Sequence, residues 1–579
     1  MLHATKKRIE STNRGGMNAS QWLKWDINSE TRLQVEKMTE EDNTELFERP
    51  RIAFGTAGLR AEMGPGPSRM NDLVVLQAAQ GLLAYLNSTS SSKSSIVLGY
   101  DHRKRGSLSS KRFAEITAKV FVENGWKVFL FKRTVPTPFV PFAIKHFSSA
   151  AGVMVTASHN PKNDNGYKVY WGNACQIIPP HDIGIAQAIM ENLEPQITFA
   201  DNEQVDTEED PTDLISDLYF KNISSILKRR PASKRPLKIV YTAMHGIGHE
   251  WAKKSFESFE LSPFIPVPEQ VEPDPEFPTV AFPNPEEGKG ALQLSFNTAK
   301  THGATLVLAN DPDADRLAVA ELVSNDEWKV FTGNEIAALL GCWEVENYCE
   351  DKSKTAFVAS TVSSKFLQRV AEVEGMKFLD CLTGFKWIGN ESLKLREQGY
   401  DVIFAFEEAI GFCIGDNVPD KDGISAVSVF AEMANALHGQ GLTCSQRLVQ
   451  LQEQYGYFCS NNHYIVSHDT AKNHQVFDSL RADGYIKEAA GYKIVNVRDL
   501  KAPGYDSQTK DNKPTLPIGE NMITFYFENS CVVTLRMSGT EPKLKYYTEL
   551  RGDSKIETQK ALDELVDKAV LGCMLKSLR

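Results

Sequence analysis

Residues 151–168 read AGVMVTASHNPKNDNGYK, and this stretch joins a short apolar run to a polar loop. The run AGVMVTA is too short for a typical helix and ends in turn-forming residues, which predicts a buried strand. Ser158 then stands where the chain leaves the carboxyl end of that strand, the side of an α/β sheet that usually binds ligands. The stretch therefore predicts an α/β fold with a candidate functional loop at one sheet edge.

Strands and helices alternate on both sides of this stretch. Helical apolar spacing predicts helices at 73–86 and 109–124. Apolar runs predict strands at 95–101, 126–131, 237–244, 305–311, 355–360 and 401–408. This alternation is typical of βαβ units with a mainly parallel sheet, and it occurs in three successive rounds.

The tail of the chain has a different pattern. Residues 522–527 and 531–537 alternate as half-exposed antiparallel strands, and a helix is predicted from about 556 to 572. The acidic segment 201–213 indicates a solvated boundary between domains. A prior of about 150 residues per domain also favours four domains. We predict a flexible N-terminal extension (1–20), three related mixed-sheet α/β domains (21–200, 214–335 and 336–445) and a C-terminal α+β domain (455–579).

Composition excludes several classes of protein. Hydrophobic residues make up 41% and charged residues 24% of the 579 residues, which is typical of a globular chain. A net charge of −11 argues against nucleic acid as a partner, so local cations must hold any anionic substrate. No apolar run approaches the ~18 residues needed to span a bilayer, which predicts a soluble protein without a membrane partner. Nine scattered cysteines without a CxxC pair predict free thiols and a cytoplasmic location.

The loop 156–168 carries the first candidate site. Ser158 can act as a nucleophile or carry a phosphate if a metal or cation supports it. His159 and Lys168 would supply hydrogen-bond donors to phosphate oxygens. A simple turn is the alternative, because Asn-Pro and Asn-Gly form turns and serine is a common helix cap.

The loop NDPDADR (310–316) carries the second. Asp311, Asp313 and Asp315 alternate directly after a predicted strand, and three carboxylates this close repel unless a cation neutralises them. Oxygen-only ligands suit Mg²⁺ or Ca²⁺. An EF-hand is excluded, because Arg316 and Leu322 occupy the positions of its glycine and glutamate. A solvated acidic turn is the alternative.

Two further loops have weaker patterns. Glu407 ends an apolar strand, where a carboxylate can accept hydrogen bonds from sugar hydroxyls. Lys421 is a possible general base if neighbouring cations lower its pKa, although a Lys-Asp-Gly turn is commonplace. The Pro-rich run 272–287 is predicted to be a rigid surface loop without chemistry of its own.

The fourth loop, RMSGTEPKLKY (536–546), resembles a phosphate cradle. Arg536, Lys543 and Lys545 supply cations, and the hydroxyls of Ser538 and Thr540 flank a glycine that lets backbone N–H groups approach. That glycine is Gly539. A polar hairpin loop is the alternative.

Together these loops resemble those of the α-D-phosphohexomutase superfamily. TASHNP, DPDADR, FEEAIG and RMSGTEPK occur in the order expected of that family, and GTAGLR (55–60) precedes them. NGYKVYW, TGFKWIG and DKDGISA resemble the phosphopentomutase branch and its relative glucose-1,6-bisphosphate synthase. The similarity extends from about residue 20 to the C-terminus.

The resemblance implies four domains around a central cleft, the last with a TATA-binding-protein-like fold. It implies that Ser158 is the phosphoserine and that the three aspartates and a phosphoserine oxygen hold one Mg²⁺. Arg60, Lys168 and Arg316 would stabilise the transferring phosphoryl group, with Lys421 as a proton-transfer candidate. The resemblance also implies residues that bind the sugar and the phosphate that does not react, namely His159, Thr383, Gly384, Glu407, Arg536, Ser538, Gly539, Thr540 and Lys545. Phe385 and Lys386 stand where some relatives have a histidine, which leaves the acid/base assignment open.

Three functions are compatible with this pattern. The first is a mutase, expected to be monomeric, that interconverts ribose, deoxyribose or glucose 1-phosphate with the 5- or 6-phosphate through a sugar bisphosphate. The second is a synthase that makes glucose 1,6-bisphosphate from an acyl-phosphate donor, 1,3-bisphosphoglycerate. The third is a non-catalytic relative, against which the intact Ser158 and aspartates argue.

Overall fold

The computed structural model describes residues 17–55, 58–89, 94–201, 203, 205–207, 209–231, 233–324, 326–348, 351–467, 469–537 and 543–578. The predicted N-terminal extension lies outside these residues as far as residue 16. The described chain divides into two compact units. The first holds the residues up to Ile336, Trp343–Tyr348 and Gly384–Cys444, and the second holds Ala337–Cys342, 351–383 and the chain from Ser445. The boundary between them passes through the third predicted domain.

The first domain is a five-stranded mixed sheet with helices packed on it. Strand order is β1-β7-β6-β2-β5, in which β2 runs parallel to β5 and β6, and β7 is antiparallel to β1 and β6. Its core is built from apolar side chains of α4, α5 and the central strands. Its elements are α1 (Ala19–Trp25), α2 (Ser29–Glu36), α3 (Glu40–Glu48), β1 (Gly58–Glu62), α4 (Asp72–Ser88), β2 (Ser95–Tyr100), β3 (Lys104–Arg105), β4 (Leu108–Ser109), α5 (Ser110–Glu123), β5 (Lys127–Leu130), α6 (Phe139–Phe147), β6 (Ala151–Val155), β7 (Asp164–Trp171) and α7 (His181–Glu191).

The second domain repeats this plan with another five-stranded mixed sheet. Strand order is β12-β11-β10-β8-β9, with β8 parallel to β9 and β10, and β11 antiparallel to β10 and β12. Its elements are α8 (Thr212–Leu227), β8 (Ile239–Thr242), α9 (Gly248–Ser258), β9 (Ile265–Pro266), α10 (Gln293–His302), β10 (Leu306–Ala309), β11 (Ala318–Ser324) and β12 (Glu327–Val330).

The third domain is shared between the two units. In the second unit β13 pairs in parallel with β14, and in the first unit β15 pairs antiparallel with β16. Asp422 caps α14 by accepting hydrogen bonds from the backbone N–H groups of Ile424 and Ser425, as acidic N-cap residues do. Its elements are α11 (Gly333–Asn347), β13 (Thr355–Ser360), α12 (Phe366–Glu374), β14 (Lys377–Cys381), α13 (Phe385–Glu397), β15 (Asp401–Glu407), β16 (Gly411–Ile414) and α14 (Gly423–Gly439).

The C-terminal domain has a single antiparallel sheet with helices, as the alternating tail predicts. Strand order is β17-β24-β23-β22-β20-β19, with β18 on β24 and β21 on β20. The predicted tail helix begins as α17 and continues to Met574 in a wider π-helical form. Its elements are α15 (Cys444–Tyr455), β17 (Tyr457–Ser460), β18 (His463–Val466), α16 (Thr470–Arg481), β19 (Glu488–Ala489), β20 (Tyr492–Asp499), β21 (Tyr505–Asp506), β22 (Met522–Phe527), β23 (Val532–Met537), β24 (Lys543–Gly552) and α17 (Lys555–Leu565).

The predicted fold class is confirmed: three α/β domains precede a sheet-rich C-terminal domain. Across the part of the chain that the structure describes, no helix is both long enough and apolar enough to traverse a membrane.

Candidate active site

Ser158 lies in the loop between β6 and β7, at the carboxyl end of β6. Its side chain is only 2% exposed, and its backbone has a φ of 52°, in the left-handed region. The Ser158 N–H donates to Thr156 Oγ1 at 2.8 Å, while Ser158 Oγ donates to Asp311 Oδ2 at 2.6 Å. The same Oγ lies 3.3 Å from His159 Nδ1. The serine hydroxyl is therefore aimed directly at the second candidate loop.

Asp311, Asp313 and Asp315 form a buried carboxylate cluster in the loop that follows β10. Each is fully buried, and one oxygen from each lies within 4.8 Å of the others. Within the described residues, Oδ1 of Asp313 and Oδ1 of Asp315 have no hydrogen-bond partner. Burial and the two neighbouring carboxylates raise the pKa of Asp311 well above its usual value. Buried, unsatisfied carboxylate oxygens in this arrangement fit a hard divalent cation, which would satisfy them and neutralise their charge.

Two lysines reach the cluster from other parts of the chain. Lys168 Nζ on β7 donates to Asp313 Oδ2 at 2.7 Å and to Asp315 Oδ2 at 3.0 Å. Lys421 Nζ lies 3.2 Å from Asp315 Oδ2. Burial alone would lower the pKa of Lys168, but the two aspartates raise it above its usual value. Burial likewise opposes ionisation of Asp313, yet Lys168 holds its pKa below the usual value.

The charges beside Lys421 raise its pKa, whereas the predicted general base requires a lowered one. Burial would lower the pKa of this lysine, but Asp315, Asp420 and Glu407 raise it well above the usual value. Asp420 is held close by hydrogen bonds from Tyr170 and Gln176. The three carboxylates outweigh Arg316, which acts in the opposite direction, so these charges favour the protonated form of Lys421.

Close backbone contact positions Lys421 beside the aspartates. A side chain on Gly423 would place its Cβ 2.5 Å from the carbonyl oxygen of Arg316 and 2.7 Å from that of Ala314. Only glycine permits this approach, so the turn that contains Lys421 and Gly423 packs directly on the loop of the three aspartates.

The remaining predicted residues of the first unit surround this cluster. Arg316 donates its N–H to Asp311 Oδ1 at 3.1 Å, and its guanidinium lies 3.7 Å from Glu286. Arg60 Nη1 donates to Asn160 Oδ1 at 3.2 Å, within the Ser158 loop. Glu407 ends β15, and burial raises its pKa although Lys421 and Arg316 oppose this.

His159 is suited to act as a neutral group. Burial, followed by the charges of Arg316 and Arg60, lowers its pKa well below the usual value. At neutral pH its imidazole therefore donates at most one hydrogen bond while the other nitrogen remains an acceptor.

The predicted phosphate cradle is described only in part. Ser538, Gly539 and Thr540 lie outside the described residues. Arg536 on β23 and Lys545 on β24 are directly opposite each other in the antiparallel register, so their side chains leave the same face of the sheet. Arg536 Nε donates to Glu520 Oε2 at 3.2 Å.

Along the chain, the second unit gives way to the first between Thr383 and Gly384. Thr383 is the last residue of its segment in the second unit, and Gly384 begins a segment of the first. Gly384 has a φ of 98° and directly precedes α13.

Thr137 and Arg103 contact the site, although the sequence patterns did not single them out. Thr137 Oγ1 donates to Asp313 Oδ2 at 2.7 Å, and Arg103 donates to four carbonyl oxygens of the Ser158 loop. Arg103 follows the predicted strand 95–101, and Thr137 follows the predicted strand 126–131. Their position after the carboxyl ends of these strands could have marked them as site residues.

The prediction for the Pro-rich run 272–287 is wrong in one respect. It is not merely a surface loop, because Phe277 is 3% exposed and packs on Arg103, and Glu286 faces Arg316. The many prolines of this run led to the prediction of a surface loop, although the run contains the buried side chain of Phe277.

Three family models match this chain in order. They describe the α/β/α domains I, II and III of the phosphoglucomutase/phosphomannomutase family and match residues 51–196, 217–323 and 332–455. The chain therefore belongs to the phosphoglucomutase/phosphomannomutase family.

Individual relatives extend this similarity over nearly the whole chain. Human phosphopentomutase is 46% identical over 94% of this chain and 94% of its own length. Human glucose 1,6-bisphosphate synthase is 45% identical over 94% of this chain and 93% of its own. The solved structure of Paramecium pp63/parafusin, a phosphoglucomutase in an open form, shares the fold with a TM-score of 0.62 at 18% identity, covering 89% of this chain and 93% of that one. The predicted family and mutase class are confirmed.

Proposed function

We propose that this enzyme interconverts sugar 1-phosphates with sugar 5- or 6-phosphates, acting on ribose, deoxyribose and glucose. Ser158 is the phosphoryl carrier in this proposal, and a sugar bisphosphate is the intermediate. The observation that carries it is the 2.6 Å hydrogen bond from Ser158 Oγ to Asp311 within a buried carboxylate cluster. Ser158 is buried and its hydroxyl is bonded to this cluster, which supports its assignment as the phosphoryl carrier.

The covalent steps follow from Ser158 as the carrier. The bond between phosphorus and Ser158 Oγ breaks as a bond forms between phosphorus and a sugar hydroxyl oxygen. The proton of that hydroxyl ends on Ser158 Oγ, which leaves a free serine and a sugar bisphosphate. After the bisphosphate turns around, Ser158 Oγ bonds to the phosphorus of its other phosphate as the bond from that phosphorus to the sugar oxygen breaks. The serine proton ends on that sugar oxygen, and the product monophosphate leaves.

The surrounding charges support this chemistry. Asp311, Asp313 and Asp315 would hold one Mg²⁺ together with an oxygen of phosphorylated Ser158, and the ion supplies stabilisation of charge on the transferring group. Lys168 and Arg316 already contact the aspartates and can turn to the phosphoryl oxygens. We assign Arg60 the same role.

Further groups would bind the parts of the substrate that do not react. Glu407, Thr383, Gly384 and His159 are assigned to the sugar hydroxyls. Arg536 and Lys545, paired across β23 and β24, are assigned to the second phosphate. We include Ser538, Gly539 and Thr540 in that phosphate loop on the sequence pattern alone.

A glucose 1,6-bisphosphate synthase is the second candidate function. It is favoured by the relative of that name, whose 45% identity nearly equals that of phosphopentomutase. Both reactions use a phosphorylated serine, and they differ in whether an acyl phosphate or the sugar bisphosphate phosphorylates it.

A substrate panel distinguishes these activities. The purified chain with Mg²⁺ is given ribose 1-phosphate, glucose 1-phosphate with a trace of glucose 1,6-bisphosphate, or glucose 1-phosphate with 1,3-bisphosphoglycerate, and products are followed by ³¹P NMR. A mutase forms ribose 5-phosphate and glucose 6-phosphate without the acyl phosphate. A synthase accumulates glucose 1,6-bisphosphate only when the acyl phosphate is present. Conversion of no sugar phosphate under any condition would contradict the proposed function.

A further inference from the structure

Arg103 is a buried arginine bound to the backbone of the Ser158 loop. It follows β2, and its side chain has no exposed surface. Nη2 donates to the carbonyl oxygens of Ser158 at 2.6 Å and Asn160 at 2.7 Å. Nη1 donates to those of Pro161 at 2.8 Å and Asp164 at 3.1 Å. One guanidinium thus ties together four carbonyl groups of the loop that carries the reactive hydroxyl.

The positive charge of Arg103 is paired with the carboxylate of Asp101. Its Nε lies 3.4 Å from Asp101 Oδ2, and Asp101 Oδ1 accepts hydrogen bonds from the Arg103 N–H and from Ser110 Oγ. A buried guanidinium is costly unless it is paired and hydrogen-bonded, and its planar fork lets it bond several acceptors at once. Asp101 pairs with the charge, so both terminal nitrogens are available to the loop.

The Ser158 backbone needs such support. A φ of 52° is unfavourable for any residue other than glycine and persists only when neighbouring groups hold it. Arg103 binds the carbonyl of Ser158 itself, which directly restrains this conformation. In this conformation Ser158 Oγ is directed at Asp311 Oδ2.

A loop of the second domain covers Arg103. The Phe277 ring centroid lies 5.3 Å from Arg103 Cζ and 5.3 Å from the ring of His102. Beside it, Glu276 forms an ion pair with Lys162 of the Ser158 loop at 2.6 Å. The Pro-rich run 272–287 therefore packs against the arginine that holds the loop.

We propose that Arg103, covered by Phe277, is a positioning residue that fixes the Ser158 loop in the conformation required for phosphoryl transfer. The inference rests on the proposed role of Ser158. Within the described residues, the polar partners of the Arg103 guanidinium are four backbone carbonyls and Asp101, so it acts through the loop and not on the substrate. Phosphoryl transfer depends on alignment, and a displacement of about 1 Å can reduce its rate by about 10²-fold.

The first test replaces Arg103 with alanine and with lysine, using Lys104→Ala as the control. Lys104 is the next residue, is exposed, and removing it changes the charge equally. For Arg103→Ala we expect kcat per phosphorylated site to fall by about 10²-fold with little change in KM. Arg103→Lys keeps the charge but cannot span four carbonyls, so its kcat should remain low. Full kcat in folded Arg103→Ala or Arg103→Lys would overturn the proposal.

Chemical rescue separates positioning from general destabilisation. Low-millimolar guanidinium should restore activity to Arg103→Ala by occupying the vacated site, whereas the same concentration of urea should not. A protein that is only less stable gains nothing from guanidinium, which is a denaturant. Equal responses to both compounds would overturn the proposal.

Hydrogen–deuterium exchange tests the loop without reference to activity. Arg103→Ala should accelerate exchange of the backbone N–H groups of Ser158, Asn160 and Asp164, and Lys104→Ala should not. If the wild type lacks mutase activity and Arg103→Ala still shows faster loop exchange, the proposed function is rejected but the positioning role is retained. Unchanged exchange would overturn the positioning role even in an active mutase.

Phe277→Leu provides a milder variant if Arg103→Ala does not fold. Phe282 lies in the same run but is 57% exposed, so Phe282→Leu is the matched control. We expect kcat to fall several-fold and loop exchange to rise only for Phe277→Leu. Identical behaviour of the two variants would overturn the role of the covering loop.

Discussion

Replacing Ser158 with alanine removes one hydroxyl whose contacts are known individually. Its hydrogen bond to Asp311 Oδ2 at 2.6 Å is lost, as is the 3.3 Å contact with His159 Nδ1. Asp311 keeps one partner, because its Oδ1 accepts the Arg316 N–H. Removing a hydrogen bond to a carboxylate costs about 1.5–3 kcal/mol. The buried hydroxyl therefore contributes measurable stability.

The two effects of this substitution differ in size. A loss of about 1.5–3 kcal/mol lowers the melting temperature of one domain by roughly 3–12 °C, which leaves the protein folded at 25 °C. Loss of the phosphoryl carrier should reduce turnover by at least about 10⁴-fold, equivalent to about 5.4 kcal/mol in the barrier. The activity loss exceeds the stability loss, so partial unfolding does not account for it.

The assay combines three measurements on Ser158→Ala and a control. Thermal unfolding reports stability, steady-state kinetics with glucose 1-phosphate and ribose 1-phosphate report turnover, and peptide mass spectrometry locates the phosphate. Ser149→Ala is the control, since Ser149 is equally buried and its Oγ accepts one hydrogen bond from Ser95. Wild-type turnover in Ser158→Ala, or a phosphate on another residue of the active wild type, would refute the reasoning.

Three further predictions concern the metal, the distal phosphate and pH. Asp313→Asn should weaken Mg²⁺ activation severely because one ligand charge is lost, whereas activity that survives exhaustive EDTA treatment would identify the loop as an acidic turn. Arg536→Met or Lys545→Met should raise KM more than it lowers kcat, by about 1.5–3 kcal/mol in binding, and increase the demand for added glucose 1,6-bisphosphate; unchanged kinetics would reject the anchor role. Burial raises the pKa of Asp26 from 3.8 to about 6, so its favourable contribution is present below about pH 4 and is lost as pH rises through 6. The stability of Asp26→Asn relative to wild type should therefore rise between about pH 4 and pH 8 in urea titrations, by up to about 3 kcal/mol; a difference that does not change with pH would contradict the shifted pKa.

The positions of the strands could be predicted because local patterns encode them. Residues 355–360 form β13 as predicted, and the predicted strand 522–527 is β22. Short apolar runs bounded by turn residues leave few alternatives to a strand in an α/β chain. The aspartate loop was also predictable, because its three carboxylates come from one short segment.

The sign of each pKa change could not be predicted in the same way. Lys421 was expected to be a base if neighbouring cations lowered its pKa, but Asp315, Asp420 and Glu407 outweigh the opposing effect of Arg316. These groups are separated along the sequence, and only folding determines which charges become neighbours.

By itself the sequence determined the alternation of strands and helices in the three α/β rounds, the family and the three-carboxylate loop, because each is written in contiguous residues. The predicted loops 156–168 and 536–546 were too long, because their last residues lie in β7 and β24. Only the tertiary structure decided that Ser158 Oγ meets Asp311 and that Lys168 bridges two aspartates. It also decided that Arg103 binds carbonyls more than fifty residues away and that Phe277 covers it. Such contacts depend on the packing of separate segments, which local periodicity and turn chemistry do not specify.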